Sequence, residues 1–164
     1  MSNENQSDRG EPTTYGFELP LLLFGGFRSI IDELHAELAR RGHPDLRPAH
    51  GFALQAIGPG GATATETGRR LGISKQAAGK TIERLEELGY VRRDGDGSDR
   101  RQKVVRITPR GLEALAASAL IFEDIRSRWG AELGPGRLAA LEADLRTMAQ
   151  GQAFRLDVPG WLGP

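Results

Sequence analysis

The sequence predicts a mainly α-helical fold with one small β-hairpin, and three observations lead to that class. Along most of the 164 residues, apolar side chains recur three and four positions apart, the spacing that lines one face of a helix. Only between Tyr90 and Ile107 does the period change to two, on both sides of a turn-rich segment. The helical runs are separated by Gly42-His43-Pro44, Gly58-Pro59-Gly60-Gly61 and Gly134-Pro135-Gly136, combinations that stop helices.

Residues 1–18 are expected to form a disordered tail, because the opening residues are polar and have nothing to bury. A first helix runs from about Leu19 to Arg41, with Leu23, Phe27, Ile30, Ile31, Leu34 and Leu38 on its apolar face. Gly25-Gly26 weaken its start by roughly 1 kcal/mol each. Pro48 at a first helical position opens a short second helix through Phe52, Leu54 and Ile57. Thr63 and Glu66 have the spacing of a capping box, in which each side chain satisfies the other's free amide. The helix they start is brief, because Gly72 turns the chain. Ser74 then caps a fourth helix whose inward face is Ala78, Ile82, Leu85 and Leu88.

Tyr90-Val91-Arg92-Arg93 and Lys103-Val104-Val105-Arg106-Ile107 read as paired strands, joined through Asp94-Gly95-Asp96-Gly97-Ser98-Asp99. Thr108-Pro109 suits the start of a long helix with apolar positions Leu112, Leu115, Ala119, Phe122, Ile125 and Trp129. A last helix carries Leu138, Leu141, Leu145 and Met148.

Composition narrows the function classes. The chain has no cysteine, which excludes disulfides, thiolate catalysis and cysteine-ligated zinc. The N-terminus lacks the basic flank and apolar run of a signal peptide, and Leu19–Phe24 is too short to span a bilayer, so a cytoplasmic protein without a membrane partner is expected. Net charge is zero, but it is unevenly distributed. From Thr65 to Arg110 there are 12 Lys and Arg against 7 Asp and Glu, and the remainder of the chain is acidic to the same extent. Duplex phosphates respond to a local excess of this kind.

Short helix, glycine turn, second helix and hairpin, in that order, make a winged helix-turn-helix. Gly68 falls where the two short helices cross, and a side chain there would hold them apart. Ser74 presents the free amides of a helix N-terminus, which suit a phosphate oxygen. The outward face carries Lys75, Gln76, Gly79, Lys80, Glu83 and Arg84: Gln76 suits an adenine edge, and the lysines suit guanine or phosphate. Asp99-Arg100-Arg101 at the hairpin tip, with Arg92, Arg93, Lys103 and Arg106 beside it, is the residue set for a narrow minor groove and its phosphates. Asp99 is expected to brace one arginine and leave the other free to reach out.

These residues resemble the MarR family of bacterial transcriptional regulators. The likeness lies in Thr63-Ala64-Thr65-Glu66, Leu71-Gly72-Ile73-Ser74-Lys75-Gln76 and Arg84-Leu85-Glu86-Glu87-Leu88-Gly89-Tyr90-Val91. It continues through Asp99-Arg100-Arg101 and Val105-Arg106-Ile107-Thr108-Pro109-Arg110-Gly111, and spans roughly Leu19 to Gln150. The resemblance implies a homodimer with interlocked N- and C-terminal helices, recognition helices and wings on DNA, and an effector pocket between the two parts. Thr67-Gly68 replaces the family's usual Leu-Ala, and Gly79 is unusual on a reading face.

The expected architecture is therefore mainly α with a small β-hairpin: a winged helix-turn-helix with N- and C-terminal dimerisation helices. The regulator domain spans residues 19–150, its DNA-binding part about 46–108 and its dimerisation helices about 19–42 and 109–150, with 151–164 a C-terminal extension. The expected partners are double-stranded DNA, a second copy of the chain and a small aromatic or phenolic effector near His35, His43 and His50. The expected DNA-contacting residues are Ser74, Lys75, Gln76, Gly79, Lys80, Arg84, Arg93, Asp99, Arg100, Arg101 and Lys103. An enzyme is not expected. The three histidines lack an acidic partner at metal-ligand spacing, and no nucleophile elbow, phosphate loop, dinucleotide fingerprint, catalytic residue, cofactor or metal site is read. The alternative is a winged-helix module for protein–protein contact, which would not need the basic wing.

Overall fold

The computed structural model describes residues 16–94 and 103–149. Within them the chain forms α1 (Glu18–Arg40), α2 (Pro48–Ile57), α3 (Ala64–Leu71), α4 (Lys75–Glu87), β1 (Val91–Arg93), β2 (Val105–Ile107), α5 (Pro109–Leu133) and α6 (Pro135–Ala149). The order matches the sequence reading. The two strands are shorter than expected, with Tyr90, Lys103 and Val104 outside them.

The helix starts follow the capping chemistry. Thr63 Oγ1 accepts the Glu66 amide at 3.2 Å, while the Glu66 carboxylate accepts the Thr63 amide at 2.8 Å. Those bonds to the charged form lower the Glu66 pKa. Ser74 Oγ accepts the Ala77 amide, and Thr108 Oγ1 accepts that of Gly111. α3 ends at Gly72, which sits in the left-handed region at φ +70°. α1 continues unbroken through Gly25-Gly26.

The fold has two parts. α2, α3, α4 and the antiparallel β1–β2 pair make the winged unit, with Val91 opposite Ile107 and Val105 opposite Arg93. Ala62 adds a short bridge to Val105 through two backbone hydrogen bonds, so the loop before α3 extends the sheet. α1, α5 and α6 make a helical layer beside it, clipped at the surface by Glu33–Arg128 and by Arg126–Glu142 at 2.7 Å. One core joins the two: Leu34, Leu38, Leu54, Ile57, Ile82, Leu85, Tyr90 and Ile121 belong to a single buried cluster. The α4 face Ala78, Ile82 and Leu85 has no measurable exposure, as its periodicity predicted.

α5 corrects the sequence reading. Its buried positions are Gly111, Ala114, Ile121 and Ile125, whereas Leu112, Ala119 and Phe122 are exposed. The helix is clamped at its start, and that sets its rotation. A β-carbon at Gly111 would lie less than 3.0 Å from the Tyr90 carbonyl oxygen and 2.5 Å from Ile107 Cγ2, so the glycine edge must face β1. The apolar side chains one step round the helix are then turned outward. α1 is similarly split: Ile31, Leu34 and Leu38 are buried, but Leu19, Leu21, Leu22, Leu23, Phe24 and Phe27 are exposed.

Candidate nucleic-acid interface

α3 and α4 meet at Gly68, where a β-carbon would lie 2.9 Å from the Ile73 carbonyl oxygen and 3.3 Å from that of Ser74. The glycine lets the helices approach and so sets the angle at which α4 leaves the surface. Thr67 is wholly buried, and its hydroxyl donates to the Thr63 carbonyl at 2.9 Å. That bond satisfies the polar group placed where the resemblance leads one to expect leucine.

On α4, Ser74, Lys75, Gln76 and Lys80 are exposed, and Gly79 is partly covered. Neither lysine is held by an acidic partner among the described residues, and the first turn contains no acid. Two turns further on, Arg84 pairs with Glu87 at 2.8 Å. The positive end of the helix and its free cations are therefore at Ser74–Lys80, while the later part is internally compensated.

The root of the hairpin is braced by carboxylates. Arg93 pairs with Glu86 at 3.0 Å and lies 3.9 Å from Glu83, both on α4. Its backbone amide also donates to the Glu86 carboxylate, so β1 is fixed to α4 through one residue. Asp94 accepts from Arg92 at 2.6 Å and also pairs with Arg106, holding the two strands together. Sequence reasoning gave a bracing role to Asp99 and missed Asp94 and Glu86. The cross-strand register that faces Arg92 with Arg106 is the signal that calls for a carboxylate between them. Asp99, Arg100 and Arg101 lie outside the described residues. Lys103 is half-buried beside that segment.

The three histidines are not gathered at one cavity. His35 borders a cavity of about 50 Å³ between α1, α2 and α5, lined also by Leu34, Arg47, Gln55, Ser118 and Phe122. His50 is buried in the first turn of α2, where its Nδ1 accepts the Arg47 amide at 3.1 Å. His43 is buried elsewhere, with Nδ1 3.0 Å from the Tyr90 hydroxyl. Arg110 donates to that hydroxyl and to the Gly42 carbonyl, and lies 4.9 Å over the tyrosine ring. Arg110 can only donate, so the Tyr90 hydroxyl accepts from it and keeps its own proton available for a neutral His43 Nδ1. Its Nε2 has no partner among the described residues. Burial lowers the pKa of both His43 and His50; nearby guanidinium groups (Arg110 for His43, Arg84 and Arg47 for His50) push the same way, and Glu113 opposes at His43.

Among the described residues no three His, Cys, Asp or Glu side chains stand close enough to hold a metal ion. None of the helices there is long and apolar enough to cross a membrane.

A short helix pair packed through a glycine, followed by a braced antiparallel hairpin and flanked by long helices, is a winged helix-turn-helix. Residues 45–102 match the sequence model of the MarR family. The fold is shared with a transcriptional regulator from Thermotoga maritima, at 23% identity over 82% of this chain and 95% of that one, with a TM-score of 0.59. It is also shared with wild-type MarR from E. coli in its apo form, at 21% identity over 79% and 96% of the two chains, TM-score 0.61. A third likeness is to MepR, a transcription regulator of the Staphylococcus aureus multidrug efflux pump MepA, at 17% identity over 84% and 97%, TM-score 0.62. Comparison with curated protein sequences finds no match.

Proposed function

We propose that the chain is a sequence-specific, duplex-DNA-binding transcriptional regulator in the cytoplasm, acting as a homodimer and relieved by a small effector. The observation that carries this reading is the exposed start of α4, where Lys75, Gln76 and Lys80 stand free of acidic partners beside a hairpin rooted on the same helix. Gln76 meets a base edge in the major groove, the lysines meet guanine or phosphate, and Arg100 at the wing tip enters the minor groove. Arg93 holds the wing on α4, so its part in DNA binding is to position the hairpin.

Support for the homodimer comes from apolar surface. Leu19, Leu22 and Phe24 are more than half exposed on α1, as is Met148 on α6, and a single copy leaves them in water. A second copy covers them. Support for an effector is the α1–α2–α5 cavity, whose polar rim of His35, Arg47, Gln55 and Ser118 suits an aromatic acid or phenol. Its present volume of about 50 Å³ has room for only a few water molecules, so a ligand must widen it. Widening changes the relation of α2 to α1 and α5, and with it the spacing of the two recognition helices.

Two measurements test the proposal. Selection from a random duplex pool should enrich a two-fold related site, bound with a log–log salt slope of about −7 if each subunit makes about four phosphate contacts. Light scattering at micromolar concentration should give the mass of two chains. A flat salt response or a preference for single strands refutes the DNA reading, and a monomer mass refutes the dimer.

A further inference from the structure

Gly79 sits in the interior of α4, where glycine costs helix stability relative to alanine. At Gly68 in α3 and Gly111 in α5 the chain repays such a residue with a close approach, whereas Gly25 of α1 and Gly51 of α2, which lines the cavity beneath α1, have open space as Gly79 does. A β-carbon at Gly68 would press on the Ile73 carbonyl, and one at Gly111 on that of Tyr90. Gly79 has no such reason. Its backbone is ordinary helix, and a β-carbon built there meets no atom within 4 Å. The requirement for a missing side chain is therefore not found within the folded chain.

Its position shows where the requirement arises. Gly79 follows Gln76 by three residues and precedes Glu83 by four, so all three share a stripe on the α4 surface. Gln76 and Glu83 are exposed. Gly79 is thus a notch between two polar side chains, both able to meet base edges. A phosphate is drawn to the exposed amines of Lys75 and Lys80 on either side, and away from the Glu83 carboxylate that borders the stripe. An uncharged apolar group the size of a methyl fits better, and the major groove displays one in the thymine C5-methyl.

We infer that Gly79 is a specificity-determining residue that accepts a thymine methyl against the α4 backbone, next to the base pair met by Gln76. The inference rests on the DNA-reading function proposed above. A β-carbon at position 79 would occupy the methyl's place.

The test pairs a protein change with a DNA change. The duplex enriched by the wild-type chain is resynthesised with uracil in place of thymine, one position at a time, and titrated with wild type and Gly79→Ala. Gly79→Ala should melt about 2 °C higher, because the helix gains a better former. It should bind the thymine duplex at least tenfold more weakly. At one position uracil should restore most of that loss, while weakening the wild type two- to fivefold. Loss of binding below fivefold, or loss that uracil restores at no position, overturns the inference. So does a lower melting temperature, since the fold itself would then need the glycine. If the wild-type chain enriches no duplex, the DNA reading fails and the inference with it; if it enriches one that Gly79→Ala binds equally well, only the inference fails.

Discussion

Gly111→Ala is the substitution whose cost the structure defines best. The added carbon would stand less than 3.0 Å from the Tyr90 carbonyl oxygen and 2.5 Å from Ile107 Cγ2, so β1 and the start of α5 must part by most of an ångström. That carbonyl already accepts the Thr108 amide at 3.0 Å, and the Thr108 hydroxyl donates to the Gly89 carbonyl at 2.6 Å, so parting strains the bonds that seat the helix. Overpacking of this kind costs about 1–3 kcal/mol, and a weakened backbone hydrogen bond about 1 kcal/mol more. Better helix propensity returns about 0.5–1 kcal/mol. The net destabilisation is about 2–3 kcal/mol, against a total of about 5–15 kcal/mol for a domain, and should lower the melting temperature by roughly 5–10 °C. Thermal unfolding followed by circular dichroism reads it directly, with Gly79→Ala as a control of opposite sign. A Gly111→Ala protein that melts at or above the wild-type temperature refutes the clamp and the account of α5's rotation built on it.

Other outcomes follow from the same geometry. Because burial lowers the folded-state pKa of His43 and His50, the unfolded chain takes up protons first as pH falls below about 6.5. Stability should therefore be level above that pH and decline below it, and His43→Gln should flatten the decline in melts across pH 5 to 8; an equal slope in the two proteins removes His43 from the account. Gln76→Ala should cost about 1–3 kcal/mol on the selected site and little on random DNA, while Arg100→Ala should weaken both and reduce the salt slope by about one per subunit, as measured by fluorescence anisotropy. The reverse pattern exchanges the two roles. Asp94→Asn keeps the size of the side chain but releases Arg92 and Arg106, so it should loosen the hairpin and lower the exchange protection of the residue-94 amide, which donates to the Val104 carbonyl. Unchanged exchange argues that the cross-strand pairing alone holds the wing.

The elements were legible because each has a local cause. Thr63 with Glu66, Ser74 and Thr108 mark helix starts through bonds spanning three residues, and the Ala78, Ile82 and Leu85 stripe marks a buried face through a period of 3.6. What was not legible depends on contacts distant in sequence. The sequence spacing points to Leu112 and Phe122 and passes over Ala114 and Ile121, because the rotation of α5 is decided by Tyr90 and Ile107 lying against Gly111. The histidines looked like one group, because spacing along the chain does not reveal that His43 turns to Tyr90 while His50 turns back to Arg47. In the candidate interface, the exposed start of α4 was readable from its periodicity. The engagement of Arg93 with Glu86 was not, since it joins a strand to a helix.

Arg70 gives α2 a second attachment that its own sequence does not announce. Its guanidinium reaches from α3 to the Ala56 carbonyl at 2.5 Å and to that of Ile57 at 3.4 Å, filling acceptors that the end of α2 leaves open. α2 also walls the cavity beneath α1, through Gly51, Phe52 and Gln55. α2 is thus a rod pinned at its far end to α3, and α3 in turn is pressed onto α4 at Gly68. Anything that pushes α2 outward to enter the cavity must either pull its last carbonyls away from a charged donor or drag α3 along, and α4 rides with α3.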